Sequence, residues 1–255
     1  MIFILIRIFP FVFPIVYFIF LKLMFVFYNN VPWLVTTALF INFWYFLFIY
    51  SKTKNKEVFV FLIHSFIFVI TGFFYVLILG SQTFINLFLV IWSLLYFLYL
   101  ESIFHYFYDT KKVVVLNLKN IVAYINLITL FFLVAFLINI HIFINFSIGL
   151  VYFGVFIASF LLVFSRFKIN GVSWQKNLLY SFLLSIMIIE VLVAVLFLPV
   201  SFYVSAVIIA IVYYVLSSIL AISTKKALNK MVIWQYIIFT LISIFIIAIT
   251  SQWGL

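Results

Sequence analysis

The chain has 255 residues, of which 70% are hydrophobic and 7% are charged, and its mean hydropathy is +1.47. A water-soluble domain is about 45–50% apolar and about 25% charged, so this composition excludes a soluble fold. The formal charge is +10, but the basic residues lie in short segments between apolar blocks. They therefore predict membrane topology and contacts with anionic lipid head groups, and not nucleic-acid binding. The sequence has no cysteine, which excludes disulfides, thiolate catalysis and cysteine-ligated metals.

Four polar segments rich in lysine and arginine divide the chain into long apolar blocks. The segments are residues 51–57, 101–120, 165–177 and 223–230. Each long block has about 43–45 residues, whereas one membrane-spanning helix needs about 20. Each block therefore predicts two spans joined by a short turn. The turn signals near the block midpoints lie at residues 29–32, 80–83, 139–141 and 198–201.

Nine spans follow in chain order from this division. They are predicted at residues 8–28, 33–50, 58–79, 84–100, 121–139, 142–164, 178–199, 202–222 and 231–250. All Lys and Arg residues beyond the first span lie in the four polar segments, and the turns between them have none. The positive-inside rule then predicts cytoplasmic basic loops in the cell membrane, an inner N-terminus and an outer C-terminus. The prediction is one all-α transmembrane domain, 1–255, a polytopic bundle of four out-and-back hairpins and a final helix.

Acidic residues are scarce, and one of the four lies inside a predicted span. Glu190 lies in the seventh span within the apolar segment 188–192. A charge at the bilayer centre costs about 2.5–3.5 kcal/mol, so we expect this side chain to face the bundle interior or to be protonated. It predicts a proton, cation or substrate site, or alternatively one interhelical hydrogen bond. Lys22, two-thirds of the way through the first span, either snorkels outward or pairs with Glu190.

A second group of polar residues follows the fourth span. Glu101, His105 and Asp109 are spaced i, i+4, i+8, which places them on one face if that span continues as a helix. Such a row is suited to ligating a metal ion or to acid–base chemistry at the membrane surface. The interleaved aromatic residues 106–108 favour the alternative, an interfacial amphipathic helix. Three residues of one helix rarely complete a metal site, so we expect neither a metal nor a cofactor.

Small residues along the eighth span predict close helix packing. They are Ala206, Ala210, Ser217 and Ala221. Small residues let helix backbones approach each other in lipid. The stripe is therefore a candidate surface for a membrane-protein partner.

Three segments carry a resemblance to known sequences. These are LFLPVSFY at residues 196–203, the tyrosine pair at 213–214 and LESIFHYFY at 100–108. In these segments the chain resembles uncharacterised multispan membrane proteins of candidate-phylum, Patescibacteria-type, bacteria. The resemblance implies a bacterial source. Because that family carries no assigned activity, it implies no mechanism.

Three functions stay open on the residues alone. A non-enzymatic structural or assembly role in the membrane comes first, because reactive side chains are few. A transporter or flippase that uses a buried Glu190 is the first alternative. A membrane enzyme with a cytoplasmic-face site at Glu101, His105 and Asp109 is the second. Phosphate and metal chemistry usually needs more acids, arginines and histidines than this chain has.

Overall fold

The computed structural model describes residues 2–108, 112–224 and 230–250, and this part of the chain is all-α. Nine α-helices lie within these ranges, with a single 3-10 turn, Tyr28–Asn30, between the first two. The helices are α1 (Ile2–Val26), α2 (Val31–Thr53), α3 (Val58–Val76), α4 (Gln82–Tyr108), α5 (Lys112–Ile144), α6 (Ile148–Ile169), α7 (Trp174–Leu196), α8 (Phe202–Ser223) and α9 (Lys230–Thr250).

Among the described residues, eight of these helices, α1 to α8, are long and apolar enough to cross a bilayer. This confirms the prediction of an all-α, multi-pass membrane bundle. In α9 the apolar stretch that the structure describes is Trp234–Ser243, which is shorter than a crossing requires. A ninth crossing and the outer position of the C-terminus therefore stay predictions.

The helix ends differ from the predicted spans where a polar residue was read as a turn. The turn predicted at residues 139–141 is wrong, because α5 continues to Ile144 and the break lies at residues 145–147. A single polar residue does not interrupt backbone hydrogen bonds, whereas a left-handed residue does. Asn145 has φ +55°, a conformation that asparagine tolerates better than most residues.

The chain divides into two compact units, Met1–Ile125 and Asn126–Leu255, and the boundary falls within α5. In unit 1, α1 packs against α2 and α4, and α2 packs against α3. In unit 2, α6 packs against α7, α7 against α8, and α8 against α9. The apolar pattern does not predict this division, because apolar helices of similar length occur in both units.

A chain of buried hydrogen bonds joins three helices in the core of unit 1. Asn42 of α2 donates to the Ser65 hydroxyl of α3 at 2.8 Å, and that hydroxyl lies 2.7 Å from the Tyr96 hydroxyl of α4. The Tyr96 ring stacks on Phe68, with ring centroids 5.2 Å apart. In lipid, where apolar contact does not favour helices over acyl chains, such polar contacts hold helices together.

Asparagine plays the same role in unit 2. Asn126 of α5 donates to the carbonyl of Leu162 in α6 at 2.8 Å and to the Tyr213 hydroxyl of α8 at 3.2 Å. Asn177 of α7 donates to the carbonyl of Phe164 in α6 at 3.0 Å. These bonds tie the helices around the core of the unit.

Candidate functional site

One end of unit 1 gathers the polar side chains of α1, α4 and the α2–α3 loop, and we call it the basic end of unit 1. Arg7 of α1 donates to the Oε1 atom of Glu101 in α4 at 2.6 Å. His105, one turn further along α4, places its Nε2 atom 3.1 Å from the same oxygen. Tyr106 donates to a carboxylate oxygen of Glu57 at 2.8 Å, which places the α2–α3 loop beside the end of α4.

This arrangement agrees in part with the predicted row of Glu101, His105 and Asp109. The helix α4 runs on to Tyr108, so Glu101 and His105 share one face and interact. Asp109 lies outside the described residues. Arg7 is the member that sequence spacing missed, because it comes from a helix 94 positions away. The Oε2 atom of Glu101 is buried and has no hydrogen-bond partner among the described residues.

Within the described ranges no group of three His, Cys, Asp or Glu side chains is placed to hold a metal ion. The ion pair with Arg7 also occupies one oxygen of Glu101. Metal or acid–base chemistry at Glu101 and His105 therefore stays a prediction, and the geometry favours charge pairing at the membrane surface.

Glu190 is exposed, although the sequence led us to expect that it faces the bundle interior. It lies in the second half of α7, and the buried face of this helix carries Ser181, Ser185, Ile188 and Leu192 instead. Glu190 has no hydrogen bond or ion pair within the described part of its own unit. Its neighbours on the exposed face are apolar: Leu179, Leu183, Ile186 and Met187.

Lys22 is likewise exposed, on α1 of unit 1. It lies four residues before the end of α1, and Glu190 lies six residues before the end of α7. At 1.5 Å per residue these positions are about 6 Å and about 9 Å from the helix ends. The two charges therefore lie at similar distances from the ends of their helices. Their pairing stays a prediction.

Unit 2 contains a cavity of about 460 Å³ at the end of α7 that follows Glu190. Its polar groups come from His141, Tyr152, Ser201 and Ser205, and mainly aliphatic side chains line the rest. The Nδ1 atom of His141 lies 2.6 Å from the carbonyl oxygen of Phe146. In a neutral ring this contact assigns the proton to Nδ1 and leaves Nε2 as an acceptor. Ligand-binding pockets have volumes of about 300–1,000 Å³, so this cavity is large enough for a small molecule.

Arg166 is the charged residue whose position the sequence predicted least well. Sequence analysis assigned it to a basic loop, but it lies in the last turns of α6 and only 8% of it is exposed. Its guanidinium donates to the hydroxyls of Ser217 and, at 3.0 Å, Ser218 of α8. It also lies over the ring of Tyr214, 5.8 Å from the centroid. The adjacent serines of α8 are the sequence signal that could have indicated this contact.

The small-residue stripe of α8 is covered by the protein's own helices. Each of its four members has less than a tenth of its surface exposed: Ala206, Ala210, Ser217 and Ala221. The stripe therefore serves close packing within unit 2. Binding of a partner protein at this stripe stays a prediction.

The chain matches no protein-family model, no curated protein and no solved structure.

Proposed function

We propose that this multi-pass membrane protein is a non-enzymatic component of a membrane assembly, and that the exposed face of α7 around Glu190 binds its partner. The observation that carries the proposal is an acidic side chain on an exposed, otherwise apolar face of a helix long enough to span the bilayer. Ionisable residues at membrane depth nearly always face protein or a water-filled cavity.

The cost of exposing the Glu190 carboxylate to acyl chains favours the binding of a partner helix. A carboxylate facing acyl chains costs up to about 2.5–3.5 kcal/mol on insertion scales, and the cost falls towards the head groups. A partner helix that presents an amide, imidazole or ammonium group to Glu190 removes much of this cost. Leu183, Ile186 and Met187 then supply the apolar contact around that polar pair. A single polar contact of this kind also sets the depth at which the two helices meet.

Site-specific photo-crosslinking in native membranes tests this proposal. We expect a photoreactive phenylalanine derivative at Met187, one turn from Glu190, to give a discrete crosslinked band. The band should weaken by about tenfold in Glu190→Leu and persist in Glu190→Gln, because glutamine still forms the interhelical hydrogen bond.

The control is the same photoreactive group at Leu87, which is equally apolar and exposed but lies on α4 of unit 1. Bands of equal strength and size from both positions would show random collisions in the bilayer. An unchanged band in Glu190→Leu would remove the carboxylate from the contact and contradict the proposal.

Transport is the second candidate, and the cavity in unit 2 favours it. Val193 lines that cavity and follows Glu190 by three residues, which places the two on one face of α7. Phe197, the residue after the end of α7, lines the cavity as well. A carboxylate one turn from a cavity that contains four polar side chains is suited to binding a proton or a cation. Reconstituted in vesicles that contain a pH-sensitive dye, the protein should then carry protons, and Glu190→Gln should abolish the flux while Met187→Leu leaves it unchanged. Equal flux in protein-free vesicles would exclude this function.

A further inference from the structure

A groove on the surface of unit 1 runs between α1 and α4. It has a volume of about 410 Å³, and its walls are apolar apart from one serine hydroxyl. Each helix contributes residues at i, i+3 and i+4, which lie on one face. The lining includes Phe11, Pro14 and Ile15 of α1, and Ser93, Leu94 and Phe97 of α4.

The groove opens to the exposed side of the unit. Ile15 is 62% exposed and Leu94 is 56% exposed. In a helix pair that crosses the bilayer, such a surface faces acyl chains. The α1 wall extends from Phe11 to Phe18, about 10 Å at 1.5 Å per residue. This length fits a segment of one acyl chain lying along the helices.

Arg7 lies next to the groove, at the basic end of unit 1. Arg7 precedes Phe11 by one turn, and its guanidinium is 5.1 Å from the centroid of that ring and 4.8 Å from the Phe104 ring. The side chain is 41% exposed, and its described hydrogen bond, to Glu101, uses one of its five N–H groups. The other donors are available to an anion, and guanidinium groups bind phosphate oxygens well.

The charge around Arg7 also favours an anion. The end of α2 and the α2–α3 loop, which lies beside the end of α4, carry Lys52, Lys54 and Lys56. The acids described at this end are Glu57 and Glu101. Basic side chains therefore outnumber acidic ones in the described part of this end. Each basic group near the surface strengthens attraction to anionic lipids.

We infer that this groove binds one anionic phospholipid, with an acyl chain between α1 and α4 and the phosphate on Arg7. The inference goes beyond the proposed assembly function, because it concerns α1 and α4 and not the α7 face. The acyl chain supplies contact with both helices. The phosphate supplies selectivity, because a zwitterionic lipid carries a compensating positive group that Arg7 and the lysines repel.

Native mass spectrometry of the purified protein in detergent, with added phosphatidylglycerol or phosphatidylcholine, tests both halves of the inference. In Arg7→Gln we expect the preference for phosphatidylglycerol over phosphatidylcholine to fall about fivefold. Arg7→Lys should keep most of that preference. Ile15→Trp fills the groove from its open side and should lower the binding of both lipids to a similar extent.

The controls are Lys176→Gln for charge, at an exposed lysine of α7 in unit 2, and Ile91→Trp for bulk. Ile91 is exposed on α4 and does not line the groove. An unchanged lipid preference in Arg7→Gln, or an equal loss in Lys176→Gln, would show general attraction to a basic surface and overturn the site. Unchanged binding of both lipids in Ile15→Trp would overturn the groove.

Discussion

The buried hydrogen bond between Ser65 and Tyr96 allows a quantitative test of what holds unit 1 together. The two hydroxyl oxygens are 2.7 Å apart, and both residues are fully buried. Replacing Tyr96 with Phe removes one oxygen and leaves the ring that stacks on Phe68. Replacing Ser65 with Ala removes the hydroxyl on which Asn42 and Tyr96 converge.

The expected magnitudes follow from this arrangement. Interhelical hydrogen bonds in membrane proteins contribute about 0.6 kcal/mol on average and at most about 1.7 kcal/mol. Tyr96→Phe should therefore cost about 1 kcal/mol, because Ser65 still bonds to Asn42. Ser65→Ala should cost about 1–3 kcal/mol, because it leaves both partners buried without that bond. The coupling energy from the double-mutant cycle should lie between about 0.6 and 1.7 kcal/mol.

The assay is reversible unfolding in mixed micelles of SDS and a mild detergent, followed by circular dichroism. Tyr203→Phe serves as the matched control, because Tyr203 is exposed on α8 and should change the free energy of unfolding by less than about 0.5 kcal/mol. A coupling energy of zero within error would refute the conclusion that the Ser65–Tyr96 bond stabilises the helix contact. An equal loss of unfolding free energy in Tyr96→Phe and Tyr203→Phe would refute this conclusion as well.

Three further predictions use other parts of the chain. Gly72→Ala should destabilise unit 1 by about 1–3 kcal/mol in the same unfolding assay, because a methyl group there would overlap a tyrosine of α1 and a tryptophan of α4. The control is Gly80→Ala, because a methyl group at Gly80 meets no atom within 4 Å. Arg166→Met should leave the free energy of unfolding unchanged or raise it by about 1 kcal/mol, since no described carboxylate pairs with this buried cation. A loss of more than about 2 kcal/mol in the free energy of unfolding would contradict this expectation. Because the native chain has no cysteine, a single cysteine introduced at Asn55 or at Thr83 can be labelled selectively. An impermeant thiol reagent added outside cells should label the cysteine at position 83 and not the one at position 55. Labelling at both positions, or at position 55 alone, would refute the predicted orientation.

The sequence predicts the number and approximate extent of the helices well, because crossing a bilayer requires about 20 apolar residues and charged residues interrupt such runs. It predicts helix ends poorly. α4 continues through the polar residues Glu101 and His105, since a helix that leaves the bilayer can carry charged groups without breaking. α5 continues through His141 and ends only at Asn145, where the backbone becomes left-handed.

The candidate site was predictable only where its residues lie on one helix. The contact of Glu101 with His105 follows from their i, i+4 spacing, whereas the ion pair with Arg7 requires knowledge of which helices are neighbours. The contact of Asn126 with Tyr213 likewise requires knowledge of which helices are neighbours. Without homologous sequences that vary together, single-chain patterns contain no information on such long-range neighbours.

Glu190 and Arg166 show which part of a membrane protein's geometry its hydropathy pattern leaves open. The pattern reports how deep a residue lies along a span, and it does not report the rotation of the helix about its axis. In water, rotation can be read from an apolar stripe, but in lipid the outward face of α7 is apolar too, so an apolar stripe does not mark its buried face. The rotation is set instead by contacts such as the Asn177 bond to α6 and the buried Ser181 and Ser185. Those contacts turn Glu190 outward, and the burial of Arg166 against α8 likewise depends on which helix lies beside it. An acidic residue that is outward-facing at membrane depth is therefore an observation that only the packed structure supplies, and it is the reason for seeking a binding partner at α7.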